Sequence, residues 1–261
     1  MKRIAAAVIL ATSPAAWAAG PWDAGVAFQL SAFRADAATS VRLDSDGGRI
    51  GTGVSLESDL GVTRTKTLPQ FDFTWRFNQH HGLEGSYVRL DRSGSRTISG
   101  SIDFGDQTFP INSTVDSSFE SAIWRVAYRY AFIQDAGNEL AVLLGLHYTT
   151  FDVKLSTPAG TISESASVDV PLPTIGVRGG WRFADNLRLT GFAQFLKLKV
   201  GDYDGSLVNA SAAVEWAFHP NAYAGLGYMY YKYELDSSKG DARGQFDYKF
   251  DGPTLYAAWA F

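Results

Sequence analysis

The 261-residue chain has no cysteine. That excludes a disulfide framework, a thiolate metal site and a lipidated N-terminal Cys. Beyond the first dozen residues it has no apolar run long enough to cross a bilayer as a helix. It also lacks a basic block, and its formal charge of −4 gives no footing for nucleic acid. A mean hydropathy near zero would pass for a water-soluble protein. It is equally the value expected where only every second residue meets lipid.

The N-terminus carries Lys2 and Arg3, an apolar run over residues 4–11 and then Ala16-Trp17-Ala18. A short positive region, a short apolar core and an A-x-A site spell a secretory signal peptide. Residues 1–18 are therefore expected to be removed, leaving 19–261 as a single mature domain.

Five times an aromatic residue, any residue and a Phe follow one another: Trp75–Phe77, Tyr130–Phe132, Trp181–Phe183, Trp216–Phe218 and Trp259–Phe261. In a strand, residues two apart share a face, so each triplet aims two rings one way. Alternating segments precede the triplets. Phe71, Phe73, Trp75 and Phe77 oppose Gln70, Asp72, Thr74 and Arg76, and Trp124, Val126, Tyr128 and Tyr130 oppose Arg125 and Arg129. Tight turns at 78–81, 134–138, 184–186 and 219–221 follow the first four triplets, and each leads into another strand. The remaining connections, near 36–67, 91–118, 152–170, 200–207 and 234–251, are long. Within the second, alternation on both sides of Gly105-Asp106 predicts a hairpin. Aromatic pairs at one end of every second strand match the interfacial girdle of a membrane barrel. The reading is all-β: a closed antiparallel transmembrane barrel of about ten strands, with short turns at one end and long loops at the other.

Here the chain resembles the small monomeric β-barrel proteins of the Gram-negative outer membrane. These end in an aromatic residue with another two before it, as Trp259 and Phe261 do. The resemblance implies passage through the periplasm with chaperones, insertion by the barrel assembly machinery, short periplasmic turns and extracellular loops. It also implies a monomer surrounded by outer-membrane lipid and lipopolysaccharide. Residues 55–61 further resemble a stretch of such barrels that carries no known chemistry.

With the rings toward lipid, the opposite face fills the lumen: Asp72, Arg76, Glu84, Arg125, Arg129, Arg178, Arg182, Arg188 and Glu215. Cations outnumber carboxylates there, six to three. Ten strands leave little free space, so these charges are expected to interlock and plug the lumen. The alternative is a narrow, porin-like path for small, anionic solutes. Arg34, Arg89, Lys197, Lys199 and Lys232 fall in the outward register, roughly 20–30 Å from the girdle at ~3.3 Å rise per residue. An outward charge costs ~2–4 kcal/mol at mid-membrane and little at the interface, so the five mark the outer rim. They are candidates for lipopolysaccharide phosphates, or simply snorkel there.

Some outer-membrane barrels are enzymes. Omptin proteases need an Asp pair opposite an Asp-His pair, and lipid A deacylases and phospholipases use Ser with His. This chain has no Asp-His dipeptide. His80, His81 and His219 fall in periplasmic turns, leaving His147 in the lumen register. Asp44-Ser45-Asp46-Gly47-Gly48 lacks the further ligands of a calcium loop. The sequence thus favours a non-enzymatic barrel without cofactor or metal, acting in envelope integrity or surface recognition. A lipid A-modifying enzyme is the remotest alternative.

Overall fold

A computed structural model describes residues 20–200, 203–237 and 243–261. The signal peptide expected at 1–18 lies outside the described residues. Ten long strands form one antiparallel sheet: β1 (Val26–Leu43), β3 (Thr65–Arg76), β4 (His81–Thr97), β7 (Thr114–Asp135), β8 (Asn138–Ser156), β9 (Ser163–Ala184), β10 (Leu187–Val200), β11 (Tyr203–His219), β12 (Ala222–Ser237) and β13 (Gly244–Ala260). Each pairs with the next, and β13 pairs with β1 from Ala27↔Ala260 to Leu43↔Gly244, closing the barrel. The last residue completes the seam: Phe261 N donates to Val26 O at 2.8 Å and Val26 N to Phe261 O at 3.2 Å. Three short strands lie at the loop end. β2 (Val54–Ser55) adds to β1, while β5 (Ile102–Phe104) and β6 (Gln107–Phe109) form the hairpin about Gly105-Asp106.

The girdle faces outward. Trp75, Trp181, Trp216 and Trp259 are 47%, 63%, 51% and 49% exposed, and no Trp from the triplets enters the interior. Three of the triplet Phe residues occupy register shifts. The ladders skip Phe132 between Ala131 and Ile133, Phe183 between Arg182 and Ala184, and Phe218 between Ala217 and His219. An extra residue at the strand end bends the chain and re-aims its side chain. These bulges set the ring at the mouth of each tight turn.

Much of what reads as long loop is continued ladder. β4 and β7 stay paired to Thr97↔Thr114, and β8 and β9 to Ser156↔Ser163. Along these extensions the apolar parity of the strand reverses. On β8, Leu144, Leu146 and Tyr148 face out while His147 and Thr149 are buried; beyond them Asp152 and Lys154 face out and Phe151, Val153 and Leu155 are buried. On β7, Trp124 and Val126 face out opposite Arg125, and then Glu120 faces out opposite Phe119. A strand in lipid puts apolar residues outside, and a strand in water puts them inside. The reversal marks where the barrel leaves the apolar phase.

The interior consequently has two tiers. The turn-end tier is polar. The loop-end tier is an apolar core of Phe33, Phe119, Phe151, Tyr231, Tyr233, Tyr248 and Phe250, all at most 2% exposed. Ring pairs such as Tyr231–Phe250 at 4.6 Å and Phe119–Tyr248 at 4.9 Å knit it together. The segment after β1 and the β5–β6 hairpin close the top with Leu56, Leu60, Phe104 and Phe109, each fully buried. The charged plug expected from the sequence therefore occupies only the lower tier: above the rim the wall meets water, so its inward face must be apolar.

Candidate functional site

Alternation on β4, β7, β9 and β10 carries charged side chains into the polar tier, where they cluster about two carboxylates. Glu84 takes Arg125 Nη2 at 2.7 Å on Oε2 and Arg178 Nε at 2.8 Å on Oε1. Both guanidiniums lie over the Phe192 ring, at 4.8 and 5.2 Å from its centre. The other hub is Glu139, whose Oε1 takes Arg129 and whose Oε2 takes Arg188, both at 2.7 Å. Arg188 Nη1 is also 3.8 Å from Glu215, which accepts the Tyr256 hydroxyl at 2.8 Å. Removed from bulk water, these charges are tolerable only because each carboxylate holds its partners closely. Arg125 additionally donates to Gln194, whose Nε2 is 3.1 Å from Thr174. The cavity left among them is about 90 Å³, room for a few trapped waters.

One sequence expectation is corrected at this point, and two residues of the cluster are held by hydrogen bonds rather than ion pairs. Arg182 is not part of the lumen cluster. It sits next to the bulge at Phe183, and its guanidinium donates to the Ala184 and Asp185 carbonyls at the turn. Asp72 has no cation within ion-pair range and is held by neutral donors, Gln70 Nε2 at 2.9 Å and Gln29 Nε2 at 3.2 Å. Arg76 donates to the Ala24 carbonyl at 2.8 Å rather than to a carboxylate. Glu139 was hidden by its position just after the 134–138 turn, although it shares the inward parity of Ala141, Leu143, Gly145 and His147. With Glu139 in and Arg182 out, the cluster's cations and carboxylates stand at five to four. The excess that favoured an anion path shrinks from three charges to one.

The outward bases are matched as well. Arg89 pairs with Asp91 and Glu120, both at 2.8 Å, Lys232 with Glu234 at 2.5 Å and Lys199 with Asp204 at 3.8 Å. Arg34 and Lys197 are exposed on the same outer face. Lys249–Asp251 at 2.9 Å continues the ring, so the rim is of mixed sign rather than basic. The acids of the rim, Asp91, Glu120, Asp204, Glu234 and Asp251, carry no signal in a pattern of outward cations alone.

At the loop end the 55–61 stretch acquires a structural role. Leu56 and Leu60 enter the core, and between them Glu57 reaches Arg92 and takes the Thr39 amide at 2.8 Å. Arg92 is buried, donates to Thr39 Oγ1 at 2.5 Å and lies over Phe119 at 5.1 Å. This latch ties the first loop into the barrel wall.

The histidines are dispersed. His147 is fully buried, with Nδ1 3.4 Å from Thr174 Oγ1 and Nε2 3.2 Å from Asn209 Nδ2. Its ring contacts hydroxyl and amide rather than a carboxylate. His80, His81 and His219 stack on or cross Tyr130, Tyr128 and Trp259 near the tight turns. Among the described residues there is no cluster of three or more His, Asp, Glu or Cys that could hold a metal.

No family model and no curated protein matches this sequence. Among solved structures, the outer membrane protease OmpT from Escherichia coli matches over 90% of this chain and 96% of its own, with a TM-score of 0.60 and 11% identity. Ail, the attachment invasion locus protein of Yersinia pestis, matches over 90% and 99% (TM-score 0.40, 14% identity), and the outer membrane protein OprG from Pseudomonas aeruginosa over 92% and 97% (0.38, 12%). At these identities the likeness is one of fold. The closed ten-strand barrel, its outward apolar belt with an aromatic ring at the turn end and the fold shared with OmpT define the class: an integral transmembrane β-barrel of the outer-membrane type. The tight turns are its periplasmic end and the strand extensions its extracellular end.

Proposed function

We propose that this protein is a closed, non-conducting and non-enzymatic monomeric barrel that acts through its extracellular end, in envelope integrity or surface contact. The observation carrying this reading is the doubly filled lumen: a paired charge layer below and a ring-stacked core above, latched by Glu57. A scaffold this full is rigid and offers its variable surface only at the top. The dispersed histidines, none set against a carboxylate, favour the non-enzymatic reading over a hydrolase. In this reading the partners are outer-membrane lipid along the belt and lipopolysaccharide at the mixed rim, where Arg34 and Lys197 face outward. The barrel assembly machinery would read Trp259 and Phe261 on β13 after periplasmic chaperones deliver the chain.

Planar-bilayer recording is the test. No discrete conductance step is expected at moderate voltage of either sign. Reproducible steps from the purified wild type would replace this reading with the narrow-channel one.

A further inference from the structure

Above the belt the wall of the barrel parts between β9 and β10. β9 and β10 pair from the periplasmic turn up to Ile175↔Phe195, while β9 continues upward on β8 to Ser163 and β10 on β11 to Val200. Between the two lies an unpaired stretch of each edge. The cause is in β9: Pro171 and Pro173 lack amide hydrogens. They share one parity, so both nitrogens face the same neighbour. The β8 ladder runs through them without a shift, so that neighbour is β10. Where β10 would take up donors, β9 has none.

Behind this gap is a cavity of about 360 Å³, lined by Val41, Val153, Val168, Leu172, Leu235 and Phe246 among others. Consecutive residues 166–172 line it, inward and outward alike, so it wraps around the free edge of β9. Burial agrees. Val153 and Leu155 on β8 are buried, whereas Ala166, Val168 and Val170, inward on β9, are only half-buried. The gap opens where the belt ends, with Phe195 facing lipid and Lys197 and Lys199 just above.

We propose that this cavity binds one acyl chain of a single-chain amphiphile, a free fatty acid, admitted sideways between β9 and β10 from the outer-leaflet boundary. Size sets the class. A 150 Å³ apolar cavity holds benzene, or ~25 Å³ per carbon, so this one holds about fourteen carbons in one chain rather than several. Its walls are largely aliphatic and aromatic, and its polar lining consists of Arg42, Ser167, Asp169, Asp236, Ser237 and Gln245. Arg42, 3.0 Å from Gln245 and 3.1 Å from Asp44, is the cation there.

The test uses the mature barrel held in amphipol without detergent and radiolabelled myristate as probe. Saturable binding of one myristate per barrel is expected. Val168→Trp, which fills the cavity, should weaken it at least tenfold, whereas Val177→Trp, on the lipid-facing side of the same strand, should not. If Val168→Trp fails to fold, Ala166→Leu narrows the same space and should weaken binding in the same direction. Unsaturable uptake, or equal affinity in the filled and outward variants, overturns the proposal. Lysophospholipid with the same chain separates the sources: competition as strong as that of free myristate would assign the site to a membrane lipid instead. Restoring the two amide donors with Pro171→Val and Pro173→Val should slow uptake at unchanged capacity, and an unchanged rate would refute sideways entry.

Discussion

Glu139→Gln is the sharpest perturbation of the interior. The carboxylate is about 1% exposed and receives two guanidiniums at 2.7 Å, Arg129 on one oxygen and Arg188 on the other. The amide keeps the shape but removes the charge, leaves one acceptor, and points an N–H₂ at a cation. Breaking a buried pair by neutralising one partner costs about 3–5 kcal/mol, because the remaining charge stays buried without compensation. With a urea slope at the upper end of about 3 kcal/mol/M, the unfolding midpoint should fall by more than about 1 M. The assay is reversible urea unfolding in lipid vesicles, followed by tryptophan fluorescence, since the girdle Trp residues leave the bilayer on unfolding. Asp72→Asn is the internal control. Asp72 also faces the lumen, half-buried, but is held by Gln29 and Gln70 rather than by cations, so it should lose at most about 1 kcal/mol, the worth of a neutral hydrogen bond. If the two variants unfold at the same midpoint, ion pairing about Glu139 is not what holds the polar tier together.

Other outcomes follow from single contacts. Glu57→Gln should release the first loop without unfolding the barrel. Losing a charged acceptor worth about 2 kcal/mol should speed tryptic cleavage at Arg49 and Arg64 roughly 30-fold, while the urea midpoint barely moves. Gly225→Ala should cost about 1–3 kcal/mol by overpacking, because a Cβ there would sit 2.2 Å from the Tyr256 ring, which must then abandon Glu215. Equal stability of this variant and wild type would show that the ring can move without losing its partner.

The exterior of this barrel is legible in its sequence because lipid imposes one rule on every strand. Period-two aromatics ending in Trp-x-Phe give the belt, its lower edge and the number of strands. The interior is less legible because a position's parity says which way a side chain points but not what it meets. Arg182 and Arg178 share a parity and an unbroken ladder, yet Arg182 stands beside the bulge at Phe183 and turns its guanidinium to the Ala184 and Asp185 carbonyls, and bulges leave no composition of their own. Glu139 was readable by counting back from His147. It was lost because turn residues are judged by type, and Glu beside Asn138 passes for a turn. The polar–apolar inversion was also written in the chain. On β8 the apolar positions run over even numbers to Tyr148 and then switch to odd numbers at Phe151. Where loops were expected from loss of the pattern, the pattern had changed phase.

That inversion also explains where the barrel can be open and where it cannot. In the membrane, an unpaired strand edge exposes backbone donors and acceptors to hydrocarbon, at several kcal/mol for each unsatisfied group, so the ladder must be complete. Above the rim, water satisfies the same groups, and an edge costs little. The β9–β10 ladder accordingly holds through Ile175↔Phe195 and parts at the upper edge of the belt, where Lys197 and Lys199 of β10 face outward. The apolar interior lies at the same height, so the wall parts between β9 and β10 at a level whose contents favour an apolar guest. Had the charge layer stood behind the gap, an opening there would have admitted lipid to Glu84 and Arg178; set lower, that layer remains sealed by a full ring of strands.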